Sequence, residues 1–207
     1  MEATAAKLPV PPDIVPEHTL SASEWGMASF LLSEVAFFVT LIVTYIAMMG
    51  HDIVGPTSAE ALTLPIVLVS TLCLIGSSLT IHAAERSLES GAYGRFRSLL
   101  GITILLGIAF LALTGLEWHD LIFNKQLTIS RNLFGTTYYT LVGFHALHVT
   151  VGVVAMLIAL TLTTAGAIRK EHQVGVRLVA WYWHFVDVVW IVVFFVVYIA
   201  SRSAGAA

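Results

Sequence analysis

The sequence is poor in the residues that build most soluble proteins and most metal sites. Charged residues make up only 11% of its 207 residues, and the net charge is −3, whereas about 25% is typical of soluble domains. A single cysteine, Cys73, excludes an internal disulfide and a site built from several thiolates. No basic patch marks a nucleic-acid-binding surface, so we predict no nucleic acid partner.

Proline is also scarce in the most apolar part of the chain. All six prolines precede residue 66, and four lie within the first 16 residues, where they interrupt the apolar run that a signal peptide would need. We therefore predict a Pro-rich extramembrane arm over residues 1–22. The sequence lacks a Gly-rich phosphate loop and a nucleophile elbow, so we predict no catalytic residue in this chain.

Long apolar runs are what the sequence has in abundance. Hydrophobic residues make up 57% of the chain, and five runs each reach the roughly 20 residues that cross a bilayer core. These runs lie at about residues 25–49, 62–84, 98–117, 136–164 and 178–201. Because short connections make neighbouring spans antiparallel, we predict an all-α, polytopic bundle of five transmembrane helices over residues 23–203, with a tail at 204–207.

Basic residues are distributed unevenly between the two ends of the spans. Seven would lie on the side of the N-terminus: Lys7, Arg86, Arg95, Arg97, Arg169, Lys170 and Arg177. Three would lie on the other side: Lys125, Arg131 and Arg202. The positive-inside rule then predicts the N-terminus inside and the C-terminus outside. Four aromatic residues near span ends are predicted interfacial anchors: Trp25, Trp118, Trp181 and Tyr198.

A few polar groups lie within the spans, where an unpaired charge costs several kcal/mol. Glu34 lies in the first span at a depth of roughly 14 Å. His145 and His148 are one turn apart in the fourth span, as are His184 and Asp187 in the fifth. The depths permit a contact between Glu34 and His148, or between Asp187 and a histidine. The simplest interpretation is that these polar residues form interhelical hydrogen bonds, each contributing about 0.6–2 kcal/mol to the stability of the bundle.

Two alternative interpretations give these polar residues a direct function. The first is an independent membrane haem or metal protein that uses His145, His148 and His184, although two imidazoles on one helix face cannot easily ligate opposite faces of a haem. The second is a carrier in which Glu34 binds a proton or a substrate, although the broken helices of carriers are not indicated. We predict no metal or cofactor site. Glu117, at the end of the third span, is expected to face water.

Four stretches, in this order, resemble subunit III of the haem–copper respiratory oxidases of the cytochrome c oxidase type. They are Ser33-Glu34-Val35-Ala36-Phe37-Phe38, Phe134-Gly135-Thr136-Thr137-Tyr138-Tyr139, Gly143-Phe144-His145-Ala146-Leu147-His148-Val149, and Trp181-Tyr182-Trp183-His184-Phe185-Val186-Asp187-Val188-Val189-Trp190. The last two are highly specific. The resemblance covers about residues 24–201.

The resemblance implies an accessory subunit. Haem and copper would lie in subunits I and II, while this chain would pack on subunit I, hold structural phospholipid and support proton uptake and the stability of the complex. By the same resemblance, Glu34 would be the family's membrane glutamate and His148 its hydrogen-bonding partner. The packing motif of the last helix would contain Trp181, Trp183, His184, Asp187 and Trp190.

The number of predicted spans indicates which members of the family this chain resembles. Long family members have seven spans, whereas the five predicted here resemble the shorter bacterial forms, which implies the bacterial cytoplasmic (inner) membrane. The span-five motif favours a cytochrome c oxidase, which reduces oxygen to water and translocates protons, with cytochrome c acting through subunit II. The alternatives are subunit III of a quinol oxidase and an accessory protein of a nitric oxide reductase.

Overall fold

The computed structural model describes residues 20–51, 62, 64–166 and 173–201. Within these ranges the secondary structure is helical throughout, with five long helices. They are α1 (Ala22–Met48), α2 (Leu64–Glu89), α3 (Tyr93–His119), α4 (Leu133–Thr164) and α5 (Gln173–Phe194). A π-helical turn extends α3 over Asp120–Asn124, and another extends α5 over Phe195–Ala200.

All five helices are long and apolar enough to cross a membrane, at 26 to 32 residues including the π-helical turns. This confirms the predicted all-α bundle of five transmembrane helices. Three helix ends lie five residues beyond the predicted bounds: α2 ends at Glu89, α3 begins at Tyr93 and α5 begins at Gln173. Each extension contains an arginine, which favours helix and continues it beyond the apolar run. The orientation stays a prediction. Most of the predicted arm, and the tail, lie outside the described residues.

The start of α1 is fixed by a reciprocal cap. Glu24 N donates to Ser21 Oγ at 3.3 Å, while the Glu24 carboxylate accepts from Ser21 N at 2.8 Å. This capping box satisfies amide groups that a helix N-terminus leaves without partners. The other carboxylate oxygen of Glu24 lies 3.5 Å from Arg177 Nη1, so the same side chain joins the start of α1 to the start of α5.

The helices differ in how much of their surface they bury. The pairing of α2 with α3 is the most extensive, and α5 packs on both α2 and α4, while α1 makes its main contacts with α4 and α5. Accordingly, α5 is the most buried helix and α1 the least. Only Glu24, Phe38 and Tyr45 are buried on α1, which leaves most of its apolar surface for lipid or for another protein chain.

The indole of Trp183 lies at the centre of the bundle. It packs against Gly107 of α3 and Gly152 of α4, where an added Cβ would approach the indole carbons to 2.9 and 2.6 Å. Its Nε1 donates to Ser77 Oγ of α2 at 2.9 Å. One fully buried side chain from α5 therefore contacts three other helices, and glycine is required at two of the contacts because nothing larger leaves room for the ring.

A second tryptophan continues this contact along α5. Trp190 Nε1 donates to Thr71 Oγ1 of α2 at 3.0 Å, as Trp183 Nε1 does to Ser77 Oγ. The partner's residue number falls on α2 as the tryptophan's number rises on α5, as antiparallel packing requires. Since indole N–H groups buried in an apolar bundle need acceptors, these two hydroxyls fix the register between the helices.

Candidate functional site

The carboxyl group of Glu34 on α1 meets an imidazole on α4. His148 Nε2 lies 3.0 Å from Glu34 Oε2, and both side chains are mostly buried. His148 Nδ1 lies 2.7 Å from the carbonyl oxygen of Phe144. Because a carbonyl can only accept, Nδ1 is the donor there. Nε2 and Glu34 then share one proton, either as a neutral acid with a neutral imidazole or as a carboxylate with an imidazolium.

Aromatic side chains hold this pair in place. The ring of Phe38 lies edge-on to His148 at 4.9 Å between centroids, and the ring of Tyr182 is stacked with it at 6.5 Å. The Tyr182 hydroxyl also donates to the carbonyl oxygen of His148 at 3.1 Å. The imidazole therefore has one orientation, set by α1, α4 and α5 together.

An apolar cavity of about 340 Å³ reaches His148 from the side of the bundle. Its lining comes from α1, α4 and α5: Met27, Phe30, Leu147, His148, Val151, Ala155, Val179 and Tyr182. The pair is thus a polar group in apolar surroundings. Such an arrangement can hold a proton, and the one other titratable side chain in the cavity lining is Tyr182, whose hydroxyl donates to the carbonyl oxygen of His148.

His145 does not join this pair. Its side chain is fully buried, and neither ring nitrogen has a hydrogen-bond partner among the described residues. The ring stacks on Trp190 at 4.8 Å and meets Phe110 edge-on at 5.7 Å. His145 therefore serves as an aromatic core residue. The three imidazoles of the haem or metal interpretation occupy separate environments, which weighs against that interpretation.

The polar residues of the last helix are arranged differently from the predicted motif. His184 Nδ1 lies 2.7 Å from Ser78 Oγ of α2. Asp187 is 6% exposed, and neither of its oxygens has a hydrogen bond within the described ranges. The hydroxyl of Ser78 lies within reach of this carboxyl group as well as of His184 Nδ1. The polar contacts that fasten α5 thus come from His184, Trp183 and Trp190 rather than from the carboxylate.

The predicted interfacial anchors also divide into two groups. Trp25 is 61% exposed at the start of α1, as an anchor would be, and Trp181 and Trp118 are partly exposed. Tyr198 is fully buried, so its prediction as an anchor is wrong. Whether the exposed tryptophans anchor the helices in a membrane stays a prediction.

A buried cluster at the C-terminal ends of α3 and α5 was not predicted from the sequence. Glu117 is only 4% exposed, so the expectation that water solvates it is wrong. Tyr198 donates to Glu117 Oε2 at 2.9 Å, and the hydroxyl of Tyr138 lies 3.1 Å from that of Tyr198. All three residues lie toward the same side of the predicted bundle. That shared depth was a signal in the sequence, although depth alone does not show which side chains point inward.

Comparison with known proteins gives consistent matches over nearly the whole chain. The sequence model of the family "Cytochrome c oxidase subunit III" matches residues 15–202. The cytochrome bo(3) ubiquinol oxidase subunit 3 of Pseudomonas aeruginosa is 35% identical over 175 residues, which cover 84% of this chain and 83% of the relative. The cytochrome c oxidase subunit 3 of Alkalihalophilus pseudofirmus is 32% identical over 84% of each chain. That of Drosophila yakuba is 33% identical over 87% of this chain and 71% of the relative.

Proposed function

Because this chain belongs to the cytochrome c oxidase subunit III family, we propose that it is the non-redox third subunit of an oxidase that takes electrons from cytochrome c. The family and the five spans show that the chain is a multi-pass subunit III of a haem–copper oxidase. We further propose that the complex reduces oxygen to water and translocates protons. In this arrangement the chain lies in the bacterial cytoplasmic membrane with its N-terminus inside.

The contact between Glu34 and His148 is the observation that carries the accessory role. The two residues share one proton, and side chains from three helices hold them in place. In this proposal haem and copper belong to subunits I and II. The pair supports proton uptake by the complex, as a site that holds a proton in apolar surroundings.

The outer surface of the bundle suits the proposed partners. Large apolar side chains are exposed on every helix, including Leu32 on α1, Leu72 on α2 and Leu105 on α3. An area of this kind in a membrane protein is covered by lipid or by another subunit. We propose that subunit I and phospholipid share this surface, and that cytochrome c acts only indirectly, through subunit II.

Glu34→Gln is expected to leave assembly and the initial rate of oxygen uptake largely intact, because no redox centre depends on this carboxyl group. The amide cannot share a proton with His148, so the variant complex should lose activity sooner during sustained turnover. The measurement is the time course of oxygen uptake by the purified complex. Glu89→Gln, at an exposed position of α2, is the control. Abolished initial turnover in a fully assembled Glu34→Gln complex would contradict the accessory role.

The electron donor can be determined on the native complex. The complex is purified through a tag on this chain, and oxygen uptake is measured with reduced cytochrome c and, separately, with a quinol. We expect activity with cytochrome c. Activity with quinol alone would support the second candidate, a quinol oxidase, which the 35% identity to the Pseudomonas aeruginosa subunit favours. A haem absorption band in this chain purified alone would contradict the absence of a redox cofactor.

A further inference from the structure

A group of metal-ligating side chains lies between α2 and α5, apart from the Glu34 pair. His82 and Glu85 are three residues apart on α2, and His184 faces them from α5. One ligand atom from each of the three lies within 4.8 Å of the others, and His82 Nδ1 is 3.9 Å from Glu85 Oε2. We propose that His82, Glu85 and His184 form a binding site for a divalent transition-metal ion such as Zn²⁺.

The donor set fits this class of ion. Two imidazoles and one carboxylate are common zinc ligands, with bonds of about 2.0–2.2 Å and an open fourth position for water. Ligand atoms on a tetrahedral ion are then about 3.4 Å apart, so the side chains must close slightly around it. His82 is about half exposed and Glu85 is partly exposed, so both can rotate. Mg²⁺ and Ca²⁺ prefer several oxygen ligands and fit poorly here.

A hydroxyl group is already placed to orient one ligand. Ser78 lies one turn before His82 on the same face of α2, and its Oγ is 2.7 Å from His184 Nδ1. Metal-binding histidines generally donate their second ring N–H to such a partner. With the proton on Nδ1, the lone pair of His184 Nε2 is available for the ion. Ser78 is therefore assigned a positioning role rather than a ligand role.

The surroundings allow the ion to reach the site and select against weakly bound cations. A cavity of about 300 Å³ is lined by His82 together with Arg86 and Arg95. Arg177, which lies near Glu85, is engaged by Glu24 at 3.5 Å. Because these arginines repel cations, binding has to come from nitrogen coordination rather than from a general negative field. The site is thus expected to bind Co²⁺ and Zn²⁺ but not Mg²⁺.

The test uses the full chain, purified in detergent without a polyhistidine tag and stripped with a chelator. Titration with Co²⁺, followed by visible absorption, should show one ion per chain, and Zn²⁺ but not Mg²⁺ should displace it. His82→Ala, Glu85→Gln and His184→Ala should each weaken binding at least tenfold, and Ser78→Ala by about tenfold, as outer-shell changes do. The control is His119→Ala, at an exposed position of α3.

Two outcomes would overturn the proposal. One is an unchanged Co²⁺ affinity in both His82→Ala and Glu85→Gln. The other is an equal loss of binding in His119→Ala, which would indicate adventitious binding to surface histidines. Far-UV circular dichroism checks that each variant is folded. Because the readout is metal binding by the chain alone, the result does not depend on the electron donor or on the oxidase assay.

Discussion

Trp183→Ala is expected to lower the free energy of unfolding by about 3–5 kcal/mol, the range for truncating a large buried aromatic side chain. The indole is fully buried and contacts α2, α3 and α4 at once. Its removal leaves a cavity bounded by Gly107 and Gly152, and these glycines have no side chains with which to fill it. Thermal unfolding in detergent, followed by far-UV circular dichroism, measures the loss.

Two further variants separate the contributions to this effect. Trp183→Phe keeps a ring but removes the hydrogen bond to Ser77, so its cost should be clearly smaller than that of alanine. Trp25→Ala removes the same side chain from a position that is 61% exposed and should change stability little. Equal unfolding temperatures for Trp183→Ala and Trp25→Ala would show that the central contact does not stabilise the bundle.

The sequence alone predicted the features that depend on depth in the membrane. The five spans follow from the length of the apolar runs, and similar depth allowed Glu34 and His148 to meet. The structure places them 3.0 Å apart. Depth is readable from a sequence because a helix rises 1.5 Å per residue, and the ends of each span are marked by polar or aromatic residues.

Rotation about the helix axes could not be predicted in the same way. Lipid tails and protein cores are equally apolar, so no polar stripe on a span shows which side faces outward. His145 and His148 are one turn apart, yet one stacks on Trp190 in the core and the other faces Glu34. The small polar residues of α2 did not indicate which side of that helix faces α5 either. Thr71, Ser77 and Ser78 are common in membrane helices, but here they are the partners of the α5 motif.

The π-helical turns add a second reason why the cluster around Glu117 was not predicted. Glu117 lies just before the turn that extends α3, and Tyr198 lies within the turn that extends α5. A π-helical turn changes the angle between successive side chains. Projection from an ideal α-helix therefore misplaces Tyr198, which lies within such a turn. The buried cluster also has a measurable consequence.

Tyr198→Phe is expected to lower the free energy of unfolding by about 1–3 kcal/mol, although it removes a single oxygen atom. That hydroxyl donates to Glu117 Oε2 at 2.9 Å and lies 3.1 Å from the hydroxyl of Tyr138. Its loss leaves a buried carboxyl group without this donor, which costs more than the hydrogen bond itself contributes. Tyr93→Phe, at a partly exposed position of α3, is the matched control and should be nearly neutral.

A double-mutant cycle tests whether the cost arises at the carboxyl group. In a Glu117→Leu background there is no buried carboxyl group to leave without a donor, so adding Tyr198→Phe should cost clearly less than it does in the original chain. The difference between the two costs is the coupling energy, and chemical or thermal unfolding of the four proteins in one detergent provides it. If Tyr198→Phe costs the same in both backgrounds, the hydroxyl stabilises the bundle through another contact, such as the one with the Tyr138 hydroxyl, and the hydrogen bond to Glu117 contributes nothing.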